Sequence, residues 1–181
     1  AMSFPRVRAM IFVAVLFVTA GVVVVTAINR DSQLAPPQDP CEPGQIRVNV
    51  AVPDEEQVTV NVYNATDRPG LAEQISNELA NRGFTANTME GLPEGPKYEE
   101  AAPYDLAGYI FFGPEGVGAA WLVSAYFLDK EYDPQFDEEK EGAAVDLILG
   151  NGFRQLTTQT EVNQRIADLG QPVPPPGTCA A

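Results

Sequence analysis

One long apolar run near the start of the chain limits what this sequence can fold into more than any other feature. From Ala9 to Ile28 the sequence reads AMIFVAVLFVTAGVVVVTAI and contains no charged residue. A helix rises about 1.5 Å per residue, so a run of this length reaches across the roughly 30 Å hydrocarbon core of a bilayer. The sequence therefore predicts a transmembrane helix over residues 9–28.

The charges that flank this run predict its orientation. Arg6 and Arg8 precede it without an acidic neighbour, whereas Arg30 on the other side is followed directly by Asp31. Because basic flanks stay on the cytoplasmic side, we expect residues 1–8 to form a cytoplasmic tip of a single-pass plasma-membrane protein whose remaining chain is extracytoplasmic. The alternative is a cleaved secretory signal, but the apolar core of such a signal has only about 7–15 residues.

Two proline-rich segments frame the rest of the chain. Residues 29–44 combine prolines with polar side chains, which predicts a stiff, solvated tether. Residues 170–181 have the same character, and we expect them to lack regular structure. An extracytoplasmic domain is then expected over residues 45–169.

Cys41 and Cys179 are the two cysteines of the chain, and each lies in one of these proline-rich segments. In an oxidising compartment outside the membrane, we expect them to form a disulfide that fastens both ends of the domain together. Closing so long a loop stabilises a fold by up to about 5 kcal/mol in the chain-entropy model. A bridge to another chain and two unpaired thiols are the alternatives.

The composition excludes several kinds of chemistry. The chain has 25 acidic and 11 basic side chains, no histidine and a net charge of −14. Without histidine, the triads that use it as a base and the metal sites that use it as a ligand are excluded. The negative charge would repel phosphate backbones, so we expect no nucleic-acid partner. No cofactor and no metal site is predicted.

Alternating hydrophobic periods of two and about 3.6 residues predict the order of elements in the domain. Two strands joined by a tight turn are expected first, and the second strand begins a β-α-β-β-α-β series that a terminal helix follows. The expected elements are strands at 46–52, 58–62, 84–89, 106–112 and 144–149, and helices at 69–83, 117–127 and 158–170. This order predicts an α+β sandwich of split β-α-β type, with helices on one face of a mixed sheet.

The split topology would place the first and third strands of the series side by side and parallel. The turns that follow them would then bring two helix N-termini to one edge of the sheet, which suits an anionic group. The candidate binding residues in these turns are Asn64, Arg68, Gly70, Gly113 and Gly116. The alternative is that these residues form turns and helix caps only.

Acidic residues are concentrated between Asp129 and Glu141. Taking Asp129 as the first position of an EF-hand loop puts Pro134 where glycine is required and Lys140 where a bidentate glutamate belongs, so the stretch does not match a calcium loop. We expect a solvated acidic loop here. The helical spacing of Trp121, Tyr126 and Phe127 favours packing in the core and at its flank over a glycan-binding platform.

Three segments resemble the C-terminal domains of LytR-type proteins. Val58–Phe84 (VTVNVYNATDRPGLAEQISNELANRGF) is similar to the opening strand, asparagine turn and helix of that domain. Ile110–Phe127 and Val145–Phe153 resemble its second half, as found in cell-envelope proteins of mycobacteria and relatives, although Asn151 stands where that pattern leads us to expect proline. The resemblance covers roughly residues 45–157 and implies an envelope-associated domain. LytR-type proteins usually carry it behind a glycopolymer transferase domain; here it follows the apolar run directly, so no transferase activity is implied.

Three functions are compatible with the sequence. The favoured one is a membrane-anchored, non-catalytic interaction module that supports cell envelope integrity by docking a membrane protein or an envelope polymer. The alternatives are an enzyme that acts on envelope lipids or glycans through carboxylates alone, and a sensor that binds an anion or glycan at the two helix ends.

Overall fold

The computed structural model of the protein describes residues 41–127 and 131–181. The predicted transmembrane helix, the cytoplasmic tip and residues 29–40 of the predicted tether lie outside these described residues. Within them, no helix has the length and apolarity needed to cross a membrane. The described residues belong to one compact unit, Cys41–Ala181, which extends beyond the expected domain at both ends.

The elements within this unit follow the expected order with a few additions. In chain order they are β1 (Ile46–Val48), β2 (Thr59–Asn64), α1 (Leu71–Asn81), β3 (Thr85–Thr88), α2 (Pro96–Ala101), β4 (Gly108–Phe112), α3 (Val117–Ser124), β5 (Tyr132–Phe136), β6 (Val145–Leu149), α4 (Gln159–Leu169) and β7 (Thr178–Ala180). Short 3-10 turns at Glu55–Gln57 and Pro114–Gly116 precede β2 and α3. The fold is α+β with a mixed sheet, as predicted.

The main sheet has five strands in the order β3-β2-β6-β4-β5. β2 is parallel to both β3 and β6, whereas β4 is antiparallel to β6 and parallel to β5. The sheet therefore contains two β-α-β units, β2-α1-β3 and β4-α3-β5, that run in opposite directions with β6 between them. The predicted split topology is wrong because each unit pairs its own two strands directly, and the wholly buried β6 separates β2 from β4.

The predicted hairpin of the first two strands is also wrong. β1 instead pairs in parallel with β7 in a separate two-stranded sheet, in the register Ile46↔Thr178 and Val48↔Ala180. Alternation of apolar residues identifies a strand but leaves its partner open. The last residues, expected to lack regular structure, form this partner strand because they follow the proline run and can donate backbone hydrogen bonds again.

The disulfide between Cys41 and Cys179 is confirmed, with the two Cα atoms 5.6 Å apart. Cys179 lies opposite Arg47 in the register of β1 and β7. The covalent bond and the two-stranded sheet thus hold the same two ends of the unit together.

Both faces of the main sheet are covered, although we expected helices on one face only. In β6, Val145, Leu147 and Leu149 belong to a core shared with α1, α3 and α4. Asp146 is also buried, and Ile148 packs on the opposite face in a second cluster that α2 and the loop after it cover. Because β6 is buried on both faces, apolar residues occupy both sets of alternating positions along it, with Asp146 as the exception.

The strand β5 lies within the stretch that we predicted as an acidic loop. Tyr132–Phe136 pairs with β4 at the edge of the sheet, where Pro134 needs no second backbone partner. Tyr132 and Phe136 pack against the main core from one face of this strand. The strand was not predicted because the acidic residues around it outnumber the apolar positions, of which Tyr132 and Phe136 are the two that face the core.

The capping box predicted for the last helix is confirmed. The Thr158 side chain accepts a hydrogen bond from the backbone of Glu161, and the Glu161 carboxylate accepts one from the backbone of Thr158 at 2.8 Å. The Thr158 hydroxyl also donates to the Glu161 carboxylate at 2.7 Å, and this bond together with the one from the Thr158 backbone lowers the pKa of Glu161. The cap fixes the start of α4, which buries Val162 in the main core.

Candidate functional site

The turn that follows β2 holds three of the sequence-predicted site residues. The Asn64 side chain accepts hydrogen bonds from Thr66 and donates one to the backbone oxygen of Arg68 at 2.7 Å. The Arg68 guanidinium donates to the backbone oxygen of Phe153 at 3.0 Å and lies over the Phe153 ring. Gly70 has a left-handed φ of 74° directly before α1. The side chains of this turn are therefore bonded to one another and to the neighbouring loop.

Gly113 and Gly116 lie at the end of β4, away from the first turn. Because β2 and β4 run in opposite directions on either side of β6, the two turns are at opposite ends of the strands. The predicted meeting of the two turns at one edge is therefore wrong. A Cβ atom at Gly113 would overlap the backbone oxygen of Lys140, and one at Gly116 would lie 3.4 Å from the backbone oxygen of Ala143. These two glycines allow the loop before β6 to pack closely against the end of β4.

A buried polar network on the second face of the sheet was missed in the sequence. The Asp146 carboxylate accepts hydrogen bonds from Asn61 at 2.9 Å, Tyr98 at 2.8 Å and Lys140 at 2.7 Å. Burial raises the pKa of Tyr98, and its hydrogen bond to Asp146 raises it further. One signal could have revealed this network, because Asp146 is the single charged residue in an otherwise apolar strand.

This network has the properties of a structural support. Both carboxylate oxygens of Asp146 are engaged, and Asn61 in turn accepts a hydrogen bond from Asn87. Three donors, one of them a cation, hold this carboxylate in place. The network joins β2, β6, α2 and the loop before β6.

An open groove lies on the other face, between α3, β5 and the C-terminal tail. It has a volume of about 350 Å³, and its lining is mostly apolar. We call it the apolar groove; its lining residues are Phe112, Val117, Ala120, Trp121, Ser124, Tyr132, Pro134, Phe136, Leu169 and residues 172–176. Trp121 is half-buried. It packs against the core and also lines this groove.

A second cavity adjoins the apolar groove. It has a volume of about 680 Å³ and shares Phe136 and Pro176 with the groove. We call it the acidic cleft; the remaining lining residues are Glu94, Gly95, Pro96, Lys97, Tyr98, Asp137, Glu138 and Glu139. Four carboxylates and one ammonium group line it, so the combined surface runs from an apolar to an acidic end.

The enzyme alternative would use the carboxylates of Asp67, Glu115 and Asp129, and the two of these that the structure describes do not form a pair. Asp67 follows β2 and Glu115 follows β4, so these exposed residues lie at opposite ends of the strands, and Asp129 lies outside the described residues. Across 41–127 and 131–181, no group of three or more histidine, cysteine, aspartate or glutamate residues could hold a metal ion. The open cavities are the features on which a functional proposal can rest.

The geometry defines an α+β domain with an apolar core, a buried polar network and open cavities on its surface. The chain belongs to the LytR C-terminal domain family: residues 57–153 match the family described as LytR cell envelope-related transcriptional attenuator. This confirms the resemblance inferred from the sequence.

Two further relatives were found. The chain is 31% identical over 113 residues to the cell envelope integrity protein Cei of Mycobacterium tuberculosis (strain ATCC 25618 / H37Rv), a match that covers 61% of this chain and 48% of Cei. The chain thus spans about half the length of that curated relative. It is also similar to the crystal structure of the soluble domain of a conserved hypothetical secreted protein from Mycobacterium marinum, with 24% identity, a TM-score of 0.49, and coverage of 65% of this chain and 72% of that one.

Proposed function

We propose that this chain is a membrane-tethered, extracytoplasmic module that supports cell envelope integrity by docking a membrane protein or an envelope polymer, without catalysing a reaction itself. The family assignment and the similarity to a protein named for envelope integrity support the envelope setting. The uncharged run Ala9–Ile28 supports the tether. The disulfide supports an oxidising compartment.

The observation that carries this proposal is the contrast between the interior and the outer surface. The buried carboxylate of Asp146 accepts hydrogen bonds from three side chains and belongs to a network inside the domain. The apolar groove and the acidic cleft, in contrast, are open to solvent and adjoin at Phe136 and Pro176. A surface that exposes apolar side chains next to charged ones is typical of interaction sites.

An exposed position in the groove allows a direct test in cells that lack the chromosomal copy. Val173 is 79% exposed and lines the groove, so a photo-crosslinking amino acid there should not disturb folding. Glu73, on the exposed side of α1, is the matched control position. We expect a membrane protein or an envelope polymer to be crosslinked from position 173 and not from position 73. Identical adducts at both positions, or none from position 173, would contradict the proposal.

A second arm of the experiment tests the carboxylate enzyme. The triple variant Asp67→Ala, Glu115→Ala and Asp129→Ala removes the carboxylates considered for catalysis. We expect it to restore the permeability barrier of the deleted strain as well as the wild-type chain does. Loss of complementation, with normal amounts of folded protein, would favour the enzyme over the docking module.

A further inference from the structure

The apolar groove and the acidic cleft differ in chemistry but share a boundary. Phe136 and Pro176 line both cavities, so the groove and the cleft meet at these two residues. We propose that this combined surface binds an extended peptide segment of a partner protein, in which apolar residues are followed by lysine or arginine. This inference rests on the proposed function and specifies its partner.

The shape of the groove suits an extended chain. Tyr132, Pro134 and Phe136 alternate along β5 and all line the groove. Strand residues rise about 3.3 Å each, so this row is about 13 Å long and accommodates roughly four residues of extended peptide. Pro134 offers no backbone N–H group at the sheet edge, which opposes continuous strand addition and favours recognition through side chains.

The polar groups of the surface require a ligand that is rich in donors. The tail contributes prolines at 172 and 174–176, which lack a backbone N–H group and offer only carbonyl oxygens. At the other end, Glu94, Asp137, Glu138 and Glu139 offer carboxylate oxygens, which accept hydrogen bonds only. Peptide N–H groups together with lysine or arginine side chains supply the complementary donors and charge.

The same charges argue against other occupants. Among the described residues that line the cleft, Lys97 is the one cation, so a phosphate-bearing polymer or an anionic lipid headgroup would meet net repulsion there. A second copy of this chain carries 25 acidic against 11 basic side chains and would be repelled as well. A peptide with apolar residues followed by basic ones fits both ends of the surface. Its apolar side chains contact the groove, and its basic side chains pair with the carboxylates of the cleft.

The test uses the full chain in nanodiscs of phosphatidylcholine, which is zwitterionic and adds no charge of its own. The probe is a fluorescent decapeptide with three leucines in its first half and four lysines in its second half. The comparison peptide has glutamates in place of the lysines. We expect saturable binding of the lysine peptide by fluorescence anisotropy, weaker binding at high salt, and no binding of the glutamate peptide.

Two variants assign this binding to the surface. Glu138→Gln with Glu139→Gln removes two exposed charges of the cleft and should weaken lysine-peptide binding roughly fivefold. Val173→Lys places a like charge on the exposed groove wall and should weaken it roughly tenfold without loss of folding. The matched control, Asp67→Asn with Glu73→Gln, removes two exposed charges that line neither cavity and should leave the affinity unchanged.

Each of the following outcomes would overturn the inference. Equal binding of both peptides, equal weakening by the control variant, or binding of neutral tetra-N-acetylchitotetraose in competition with the lysine peptide would show a different ligand class. Absence of peptide binding while crosslinking from Val173 persists in cells would refute the basic segment and leave the proposed function intact. Absence of both peptide binding and crosslinking would refute the basic segment and the proposed function together.

Discussion

The ammonium group of Lys140 lies 2.7 Å from the carboxylate of Asp146, with both side chains largely buried. The backbone oxygen of the same lysine occupies the space that a Cβ atom would need at Gly113. One residue of the loop before β6 therefore contacts the centre of the sheet through its side chain and the end of β4 through its backbone. Lys140 directly follows Glu139, which lines the acidic cleft, so it connects the border of the cleft to the sheet.

Removal of the lysine should strongly destabilise the domain. In Lys140→Ala, Asp146 keeps its hydrogen bonds from Asn61 and Tyr98 but loses its buried counter-charge. We expect the free energy of unfolding to fall by about 3 kcal/mol, because an unpaired buried charge remains. Urea denaturation followed by the fluorescence of the single tryptophan, Trp121, measures this loss. Adding Asp146→Asn should recover much of it, and a Lys140→Ala loss below about 1 kcal/mol would contradict the pairing argument.

Local patterns predicted most elements but not their arrangement. The capping box at Thr158 and Glu161 is a short-range signal, and α4 begins where it indicates. The pairing of Ile46 with Thr178 depends on a partner at the other end of the chain, which alternation does not reveal. The order of the strands was missed for the same reason, since β6 fits between the two β-α-β units through packing of side chains on both of its faces.

The candidate site shows the same limit. Asn64 and Arg68 were correctly assigned to one turn, because their separation along the chain is small. Their expected proximity to Gly113 depended on the strand order and failed with it. The apolar groove combines residues from α3, β5 and the tail, and no single segment of sequence carries that combination.

The disulfide should contribute a large part of the stability of the domain. The bond between Cys41 and Cys179 closes a loop with a sequence separation of 138. The double variant Cys41→Ala with Cys179→Ala should lose about 3–5 kcal/mol of unfolding free energy, because the unfolded chain gains freedom. Hydrogen exchange should accelerate first at Ile46–Val48, which pairs with the strand containing Cys179. Dithiothreitol should destabilise the wild type alone; an unchanged denaturation midpoint in the reduced wild type would contradict this prediction.

Two glycines from the predicted anion site should differ sharply in their response to alanine. Gly113→Ala would place a methyl group against the backbone of Lys140, so we expect a loss of more than about 2 kcal/mol. Gly70→Ala meets open space and costs only the left-handed conformation at φ 74°, about 1 kcal/mol. Urea denaturation of both variants gives the comparison. If Gly70→Ala lost as much stability as Gly113→Ala or more, the close approach of Lys140 would not be the reason for glycine at position 113.

Tyr126 should make the domain sensitive to alkaline pH. Its ring is fully buried, its hydroxyl donates a hydrogen bond to Glu55, and burial raises its pKa from 10.0 to about 12. The folded state therefore holds this proton more tightly, so the stabilisation is complete below pH 10 and is lost as the pH rises towards 12. In Tyr126→Phe the decline of unfolding free energy above pH 10 should be shallower by up to about 1.4 kcal/mol per pH unit. Glu55→Gln should reduce the decline in the same direction by a smaller amount, because the negative charge of Glu55 also raises the pKa of Tyr126. Denaturation curves at half-unit steps from pH 9 to 12 provide the measurement, and wild-type slopes in both variants would refute the assignment to Tyr126.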